Sequence, residues 1–189
     1  IIGYNANGAI IHYKPEEETS AMVRSSGILL VDSGGQYQDG TTDITRTIAL
    51  SEPSAKIKNH YTRVLKGHIA IANVIFPRGT RGIQLDILAR QFLWEKLITY
   101  NHGTGHGVGF FLNVHEPPQG ITNGLGERGT TPIAPGTLTS NEPGFYEEGS
   151  HGIRIENLVL CQPVDNNDEF LYFETVTLFP IDKTLIDVN

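Results

Sequence analysis

The sequence predicts an α+β fold in which helices pack on one face of a mainly antiparallel sheet. Three observations lead to this prediction. Two β-rich runs separated by glycines come early in the chain, at about residues 27–33 and 41–50. Two segments with helical spacing of apolar residues follow, and short strand-like runs return after residue 101, where glycine becomes frequent. With 189 residues, the chain is long enough for one domain with its own hydrophobic core.

The N-terminal elements are assigned from the hydrophobic pattern. Residues 9–13 form a mainly apolar run that predicts a strand. The polar residues 14–26 lack a clear periodicity and predict a loop over a sheet edge. The two β-rich runs that follow are predicted to pair as a hairpin, because a Gly-Gly turn follows the first of them.

Two helices are predicted in the middle of the chain. Ser51 and Pro53 indicate the start of the first, since a capping residue and a proline in the first turn are typical of helix N-termini. Apolar residues keep helical spacing from residue 57 to 75, and the sequence Phe-Pro-Arg-Gly at 76–79 ends the helix. A second helix is predicted from about residue 83 to 97, with its leucines on one face.

The C-terminal half of the chain returns to β-structure. Short strands are predicted at about residues 105–110, 137–142, 152–161 and 170–179. The segment 117–135 is rich in Gly, Pro and Thr, so we expect it to form a long surface loop near the functional site.

Composition excludes several classes of partner. Hydrophobic residues make up 39% of the chain, and no apolar run approaches the ~20 residues needed to cross a bilayer. The 21 acidic and 14 basic residues give a net charge of −7, which argues against binding to nucleic acid or to an anionic membrane. The single cysteine, Cys161, cannot form an internal disulfide and is interpreted as a small buried hydrophobe in a reducing compartment.

Asp32 and Asp43 are the most informative residues of the chain. Asp32 ends the buried-strand pattern of the first β-rich run, and Asp43 lies in the threonine-rich second run. A hairpin of this kind can bring the two carboxylates together, where they must either share a proton or bind a cation. The pair is therefore a candidate metal site.

Three more potential ligands lie in glycine-rich or turn-rich sequences further along the chain. His106 lies in His-Gly-Thr-Gly-His-Gly, Glu142 precedes Pro-Gly, and Glu156 follows Arg154 by two residues on the same predicted strand face. Four carboxylates and one imidazole form a hard ligand set that suits Mn²⁺, Co²⁺ or Zn²⁺. Because four carboxylates exceed the need of one ion, two ions about 3.5–4 Å apart are expected.

These motifs resemble the catalytic domain of the pita-bread metallopeptidases, the M24-type family of the methionine aminopeptidase and creatinase kind. The stretches 32–47, 102–116 and 142–157 are close to the pattern of the cytosolic, three-domain Xaa-Pro aminopeptidases (aminopeptidase P). The resemblance covers nearly the whole chain. It implies a curved, mainly antiparallel sheet with helices on its outer face.

The resemblance also implies how the metal ligands divide between two ions, with Mn²⁺ favoured and Co²⁺ or Zn²⁺ as alternatives. By this resemblance, Asp32 binds one ion through both carboxylate oxygens, Asp43 and Glu156 bridge the two ions, and His106 and Glu142 complete the second.

Further roles follow from the same resemblance. His12, His102 and His115 are expected to line the substrate site, with His102 near the proline pocket and His115 stabilising the tetrahedral intermediate or moving protons. Each of these histidines has an alternative as a core residue bonded to a backbone carbonyl. Arg154 and Tyr146 are expected either to steady the metal ligands or to serve in ordinary packing.

The implied activity is removal of the N-terminal residue from peptides whose second residue is proline. Two cations would lower the pKa of a bridging water, and the resulting hydroxide would attack the first peptide bond. Glu142 would carry the proton to the leaving prolyl nitrogen, so Glu142, His115 and His102 are the catalytic candidates. A prolidase, which cleaves only dipeptides, is the nearest alternative. A methionine aminopeptidase fits the histidine pattern less well, and a non-catalytic peptide-binding module is the third possibility.

The domain assignment covers residues 1–189 as the C-terminal catalytic domain of a cytoplasmic, homodimeric parent. By comparison with complete pita-bread domains, the sequence is expected to lack helices at its N-terminus and two creatinase-like domains before them. We therefore expect apolar sheet surface to be left uncovered, and the isolated chain to be weakly active or inactive.

Overall fold

Antiparallel strand pairs form most of the framework in the computed structural model, which describes residues 1–188. The strands, in chain order, are β1 (Ile2–Tyr4), β2 (Ile28–Tyr37), β3 (Gly40–Ala49), β4 (Ile75–Pro77), β5 (Gly105–His106), β6 (Gly120–Ile121), β7 (Leu138–Asn141), β8 (Gly144–Glu147), β9 (His151–Arg154), β10 (Asn157–Val164) and β11 (Asn167–Thr175). The helices are α1 (Ala55–Ala72), α2 (Gly82–Trp94) and the single turn α3 (Glu127–Thr130), with 3₁₀ turns at Asn5–Ala9 and Lys183–Leu185.

The strands form four small sheets, three of which are linked by isolated bridges. Their orders are β1-β2-β3, β4-β11-β10-β7, β5-β6 and β8-β9. Every strand pair within residues 1–188 is antiparallel. An isolated bridge between Thr45 and Glu156 connects the β2–β3 hairpin to the residue before β10. A second bridge, between Gly107 and Thr139, connects the residue after β5 to β7. The predicted α+β class with a mainly antiparallel sheet is therefore confirmed.

The β2–β3 hairpin packs in the core at one end and faces a cavity further along. Ile28 and Leu30 point into the core, and since side chains alternate across a strand, Asp32 lies on the same face two residues further on. In the strand register Asp32 is opposite Thr45, and Asp43 is opposite Gly34. The two acids are thus diagonal neighbours on one face, at the point where the core gives way to a cavity.

Helices α1 and α2 pack together and cover the strands that carry the C-terminal ligands. Ser54 caps α1 by accepting a hydrogen bond from the backbone of Ile57 at 3.3 Å. The helices approach closely at Gly67, where a Cβ atom would lie 2.3 Å from the carbonyl oxygen of Ala89. Side chains on α1 belong to two buried clusters, one around Tyr61 and one that joins the sheet of β10 and β11.

The predicted strand at residues 9–13 is wrong. The chain instead forms a 3₁₀ turn at Asn5–Ala9 followed by bends. Asn5 has a positive φ of 48°, and Gly8 packs directly on the backbone of Gly152. This contact between segments distant in sequence outweighs the β-propensity of the isoleucines that follow.

Several predicted boundaries also differ from the structure. Helix α1 ends at Ala72 rather than near residue 75, and Ile75, itself exposed, begins strand β4. Helix α2 ends at Trp94. The strand predicted at 152–161 is two strands, because the backbone N–H of Glu156 donates to Thr45 on the other sheet.

Apolar side chains remain exposed on the outer side of the β4–β11 pair. Ile75 and Tyr172 are register partners, and Phe170 lies two residues from Tyr172, so all three share one face. These three side chains form a small exposed apolar surface on this sheet. Cys161, by contrast, is fully buried, as predicted. Among residues 1–188, no helix combines the length and the apolar character needed to cross a membrane.

Candidate metal centre

The four sheets meet around a cavity of about 550 Å³ that contains all five predicted metal ligands. Asp32, Asp43, His106, Glu142 and Glu156 line it, together with His12, His102, His115 and Arg154. Tyr146 is not part of the lining, but it contacts two residues that are.

Threonines of β3 position two of the charged residues. Thr45 donates its hydroxyl hydrogen to Oε2 of Glu156 at 2.7 Å and accepts a hydrogen bond from Nε of Arg154 at 3.2 Å. Thr47 bonds both the N–H and the carbonyl of Arg154. Arg154 and Glu156 do not lie on one strand as predicted, because β9 ends at Arg154, but both side chains contact Thr45 on the strand that carries Asp43.

His106 is oriented for ligation. Its Nδ1 lies 3.0 Å from the carbonyl oxygen of Gly107, which can only accept, so Nδ1 carries the proton. Nε2 faces Asp43 at 3.5 Å and Glu142 at 3.2 Å, and without a metal it is also protonated and donates toward these carboxylates; loss of that proton would leave its lone pair for a metal. Burial disfavours the imidazolium, but hydrogen bonds to Asp43 and Glu142 outweigh it and raise the pKa of His106 to about 10 in the absence of a metal.

Electrostatics at Glu156 favour a bound cation. Burial, followed by repulsion from Glu142 and Asp43, raises the pKa of Glu156 well above its usual range. Asp43, His106 and Glu156 each offer a ligand atom, and these atoms lie within 4.8 Å of one another. A divalent cation would relieve this repulsion, and carboxylate oxygens with one imidazole nitrogen suit it. The donor set therefore fits a metal.

Glu142 is fixed by its neighbours on two strands. Its backbone N–H donates to the carbonyl of Thr104 at 2.7 Å, and Oε1 accepts a hydrogen bond from Ser140 at 3.1 Å. The same serine accepts a hydrogen bond from the backbone N–H of His106 at 2.9 Å. Burial alone would raise the pKa of Glu142, but His106 lowers it overall, so the carboxylate stays ionised.

A chain of hydrogen bonds joins Asp32 to His102. Arg154 donates to Asp32 at 2.6 Å through Nη2 and to the hydroxyl of Tyr146 at 2.9 Å through Nη1. Tyr146 lies 2.8 Å from Nε2 of His102, whose Nδ1 lies 2.7 Å from the carbonyl of Gly103. Because that carbonyl only accepts, Nδ1 carries the proton and Tyr146 donates to Nε2.

Neither ring nitrogen of His102 is therefore free to contact a substrate. Burial lowers the pKa of His102 and raises that of Tyr146 to about 12, so both stay neutral near pH 7. The structure places Arg154 and Tyr146 behind Asp32 and His102, where they support these residues.

His115 and His12 lie on the exposed walls of the cavity. The ring of His115 meets that of His106 edge-on, with centroids 4.3 Å apart, and makes no hydrogen bond to residues 1–188. It follows two residues with positive φ, Leu112 and Asn113, in the loop after β5. The imidazole of His115 is thus available to a bound molecule.

A buried ion pair supports the segment around His102 and was not predicted. Arg90 of α2 pairs with Asp86 and donates to the carbonyls of Tyr100 and His102 at 2.6 Å and 2.8 Å. Asp86 also accepts from Thr104 at 2.6 Å. In the sequence, the only sign of this pair was two charged residues four positions apart on an otherwise apolar helix face. That spacing does not indicate which backbone carbonyls or side chains the pair contacts.

Comparison with known proteins agrees with this geometry. Residues 1–163 match the model of metallopeptidase family M24. A probable Xaa-Pro aminopeptidase P of Botryotinia fuckeliana is 52% identical over 96% of this chain and 28% of its own length. Aminopeptidase P2 of Arabidopsis thaliana is 52% identical over 100% of this chain and 27% of its own length. The chain therefore spans less than a third of these relatives.

Solved structures show the same fold. An X-prolyl aminopeptidase from Caenorhabditis elegans, described as a cytosolic enzyme with a di-nuclear active site, superposes with a TM-score of 0.92 at 40% identity, over 99% of this chain and 30% of that one. An Xaa-Pro dipeptidase from Bacillus anthracis superposes with a TM-score of 0.79 at 30% identity, over 96% of this chain and 47% of that one. The fold is the pita-bread fold that the sequence predicted, and the chain belongs to metallopeptidase family M24.

Proposed function

We propose that this chain is the catalytic domain of an Xaa-Pro aminopeptidase, which releases the N-terminal residue from peptides with proline in the second position. The observation that carries the proposal is the convergence of four carboxylates and His106 on one cavity. The similarity to proteins named Xaa-Pro aminopeptidase P supports the substrate class. The chain would be one domain of a longer, dimeric protein, and cytosolic like its neighbour from Caenorhabditis elegans.

Two divalent ions would be held by Asp32, Asp43, His106, Glu142 and Glu156, with Mn²⁺ as the proposed metal. When bound, such ions supply Lewis acidity and make water acidic enough to act as a nucleophile near neutral pH. The protein provides the orientation of the ligands. Thr45 holds Glu156, Ser140 holds Glu142, and the carbonyl of Gly107 fixes the tautomer of His106.

The remaining steps are assigned to Glu142 and His115, and His102 is given a supporting role. Glu142 is ionised and takes the proton of the attacking water, which it then delivers to the leaving prolyl nitrogen. His115 is exposed and carries no hydrogen bond to the described chain, so we assign to it the hydrogen bond to the oxygen of the tetrahedral intermediate. His102 holds its surroundings in place, because both of its nitrogens are already bonded.

Substrate choice follows from charge and shape. An acidic cavity attracts the free α-amine of a peptide, which favours cleavage at the N-terminus. The X–Pro bond has no N–H group, and the proline ring restricts its geometry. A cavity wall near His102 and His12 that is complementary in shape to the ring would therefore select peptides with proline in second position. A prolidase remains the second candidate, because an Xaa-Pro dipeptidase shares the fold.

Hydrolysis of matched peptides tests the proposal. The full-length protein, stripped with a chelator and reloaded with Mn²⁺, is expected to cleave Arg-Pro-Pro and to leave Arg-Ala-Pro intact, because only the former has proline second. The stripped protein is expected to be inactive toward both. Cleavage of Arg-Pro without Arg-Pro-Pro would instead identify a prolidase, and full activity after metal removal would rule out the metal centre.

Replacing Tyr146 by phenylalanine is expected to lower kcat/KM by about 10–100-fold, the usual cost of losing a partner that orients metal ligands. The change removes the hydroxyl that joins Arg154 to His102 and leaves both without one hydrogen bond. Steady-state kinetics with Arg-Pro-Pro measure the change in kcat/KM. Tyr172→Phe, on the exposed side of β11, is the matched control and is expected to change nothing. Equal kinetics for both variants would remove Tyr146 from the site.

A further inference from the structure

A buried polar network lies directly behind two of the proposed metal ligands. Asn141 and Asn157 are register partners and form the last pair of the β7–β10 ladder. Glu142 and Glu156 are the next residue on each strand, at the same open end. Beyond this pair the ladder stops, because the backbone N–H groups of the two glutamates donate elsewhere, to Thr104 and to Thr45. The spacing between the two ligands therefore depends on what holds the last pair.

His68 of α1 contacts both members of that pair. Its Nδ1 lies 3.1 Å from the carbonyl oxygen of Asn141, and its Nε2 lies 3.1 Å from Nδ2 of Asn157. The side chain of Asn141 in turn donates to the carbonyl of His68 at 2.9 Å. His68 is 2% exposed and does not line the cavity, so it cannot itself contact metal or substrate.

The direction of every hydrogen bond in this network follows from one donor. Arg46 has only N–H groups to offer, so the atom of Asn157 that it contacts at 2.7 Å must be the carbonyl oxygen Oδ1. Nδ2 of Asn157 is then a donor, and Nε2 of His68 must accept from it. The proton of His68 therefore sits on Nδ1 and is donated to the carbonyl of Asn141.

Arg46 also ties this network to the ligand backbone. It donates to the carbonyls of Thr45 and Glu156 at 2.9 Å and 2.6 Å. Burial, followed by repulsion from Arg46, lowers the pKa of His68 to about 4, so the imidazole stays neutral and the hydrogen-bond pattern does not change near neutral pH.

We propose that His68 is a positioning residue that fixes the spacing between Glu142 and Glu156 through Asn141 and Asn157. This inference rests on the proposed function, since it assigns a role within the same site. A neutral imidazole with its proton on Nδ1 donates to one strand and accepts from the other at this position. Helix α1 thereby sets the geometry of the metal ligands from outside the cavity.

His68→Phe tests the proposal, because it removes both hydrogen bonds and keeps a buried ring. In the full-length protein we expect Mn²⁺ affinity, measured by titration calorimetry, to fall by about 10–100-fold, and the electron paramagnetic resonance signal of the coupled ion pair to weaken. His68→Asn keeps a donor toward Asn141 alone and is expected to be intermediate. Ile71→Val, one turn further along α1 and fully buried, is the control for simple loss of packing and is expected to bind Mn²⁺ normally.

A second measurement does not depend on metal. In the metal-free protein, the backbone amides of Glu142 and Glu156 are expected to exchange hydrogen faster in both His68 variants than in Ile71→Val. Unchanged exchange together with Mn²⁺ affinity within twofold of the wild type would overturn the role of His68. A wild-type protein that binds no pair of ions would instead refute the proposed function, and the exchange measurement would then decide on His68 by itself.

Discussion

Replacing Glu142 by glutamine is expected to lower kcat by about 10²–10⁴-fold, the range that a positioned general base contributes. Glutamine has nearly the shape of glutamate, so the hydrogen bond from Ser140 and the backbone bond to Thr104 can persist. The amide, however, cannot take a proton from water and is a poorer ligand than a carboxylate. The loss should therefore appear mainly in kcat and in Mn²⁺ affinity.

Kinetics with Arg-Pro-Pro at saturating Mn²⁺ separate these two effects. Glu148→Gln, an exposed residue of the β8–β9 turn, makes the same chemical change away from the cavity and is expected to leave kcat unchanged. In the metal-free protein the unfolding midpoint of Glu142→Gln is expected to fall, because the lowered pKa of Glu142 means that its ionised form is stabilised by His106, and glutamine cannot make this ion pair. An active Glu142→Gln enzyme, within tenfold of the wild type when fully metal-loaded, would disprove a general-base role.

The five proposed ligands could be selected from the sequence because each lies in a short motif with recognisable strand, turn or glycine-rich character. The hairpin itself follows from the two β-rich runs, but the predicted Gly-Gly turn is wrong: Gly34 and Gly35 pair inside β2, and the chain turns at residues 38–39. The register that makes Asp32 and Asp43 diagonal neighbours is therefore given by the structure. The roles of these residues, by contrast, came from resemblance to a family, since a carboxylate in a turn is uninformative by itself. The structure adds that they face one cavity.

The residues that hold the ligands could not be predicted. His68 lies among apolar residues of α1 at helical spacing, and its hydrogen-bond partners lie 73 and 89 positions away in the sequence. Arg46 and Asn157, 111 positions apart, show no local pattern either. A single sequence carries strong signals for contacts within a turn or a helix, whereas partners of buried polar groups are decided by the tertiary fold.

The same limit explains the errors in the fold. The isoleucines at 10 and 11 have β-propensity, but Gly8 packs on Gly152, and this distant contact forces a turn. The break between β9 and β10 at Glu156 arises because its N–H bonds Thr45, which is on another sheet. Local patterns therefore gave the class and order of most elements, while the exceptions occur where the sheets meet around the cavity.

Gly105→Ala is expected to damage stability and activity together. A Cβ atom on Gly105 would lie 1.9 Å from the backbone carbonyl oxygen of Ser140, so strand β5 must move away from β7. Because the obstacle is backbone rather than a flexible side chain, we expect the free energy of unfolding to fall by about 1–3 kcal/mol, as for overpacked cores. Urea denaturation measures this loss as a lower unfolding midpoint, with the same dependence of the unfolding free energy on urea concentration (the m-value) in both proteins.

The loss of activity should exceed what instability alone explains. Two hydrogen bonds beside this contact orient ligands, from the N–H of His106 to Ser140 and from the N–H of Glu142 to Thr104. Since a displacement of about 1 Å can cost about 10²-fold in rate, kcat/KM measured well below the unfolding midpoint should fall by at least that factor. Gly126→Ala is the control, because its Cβ would meet nothing within 4 Å and its φ of −73° suits alanine. Equal unfolding midpoints and equal kcat/KM in Gly105→Ala and Gly126→Ala would show that the close packing of β5 on β7 does not set the spacing between His106 and Glu142.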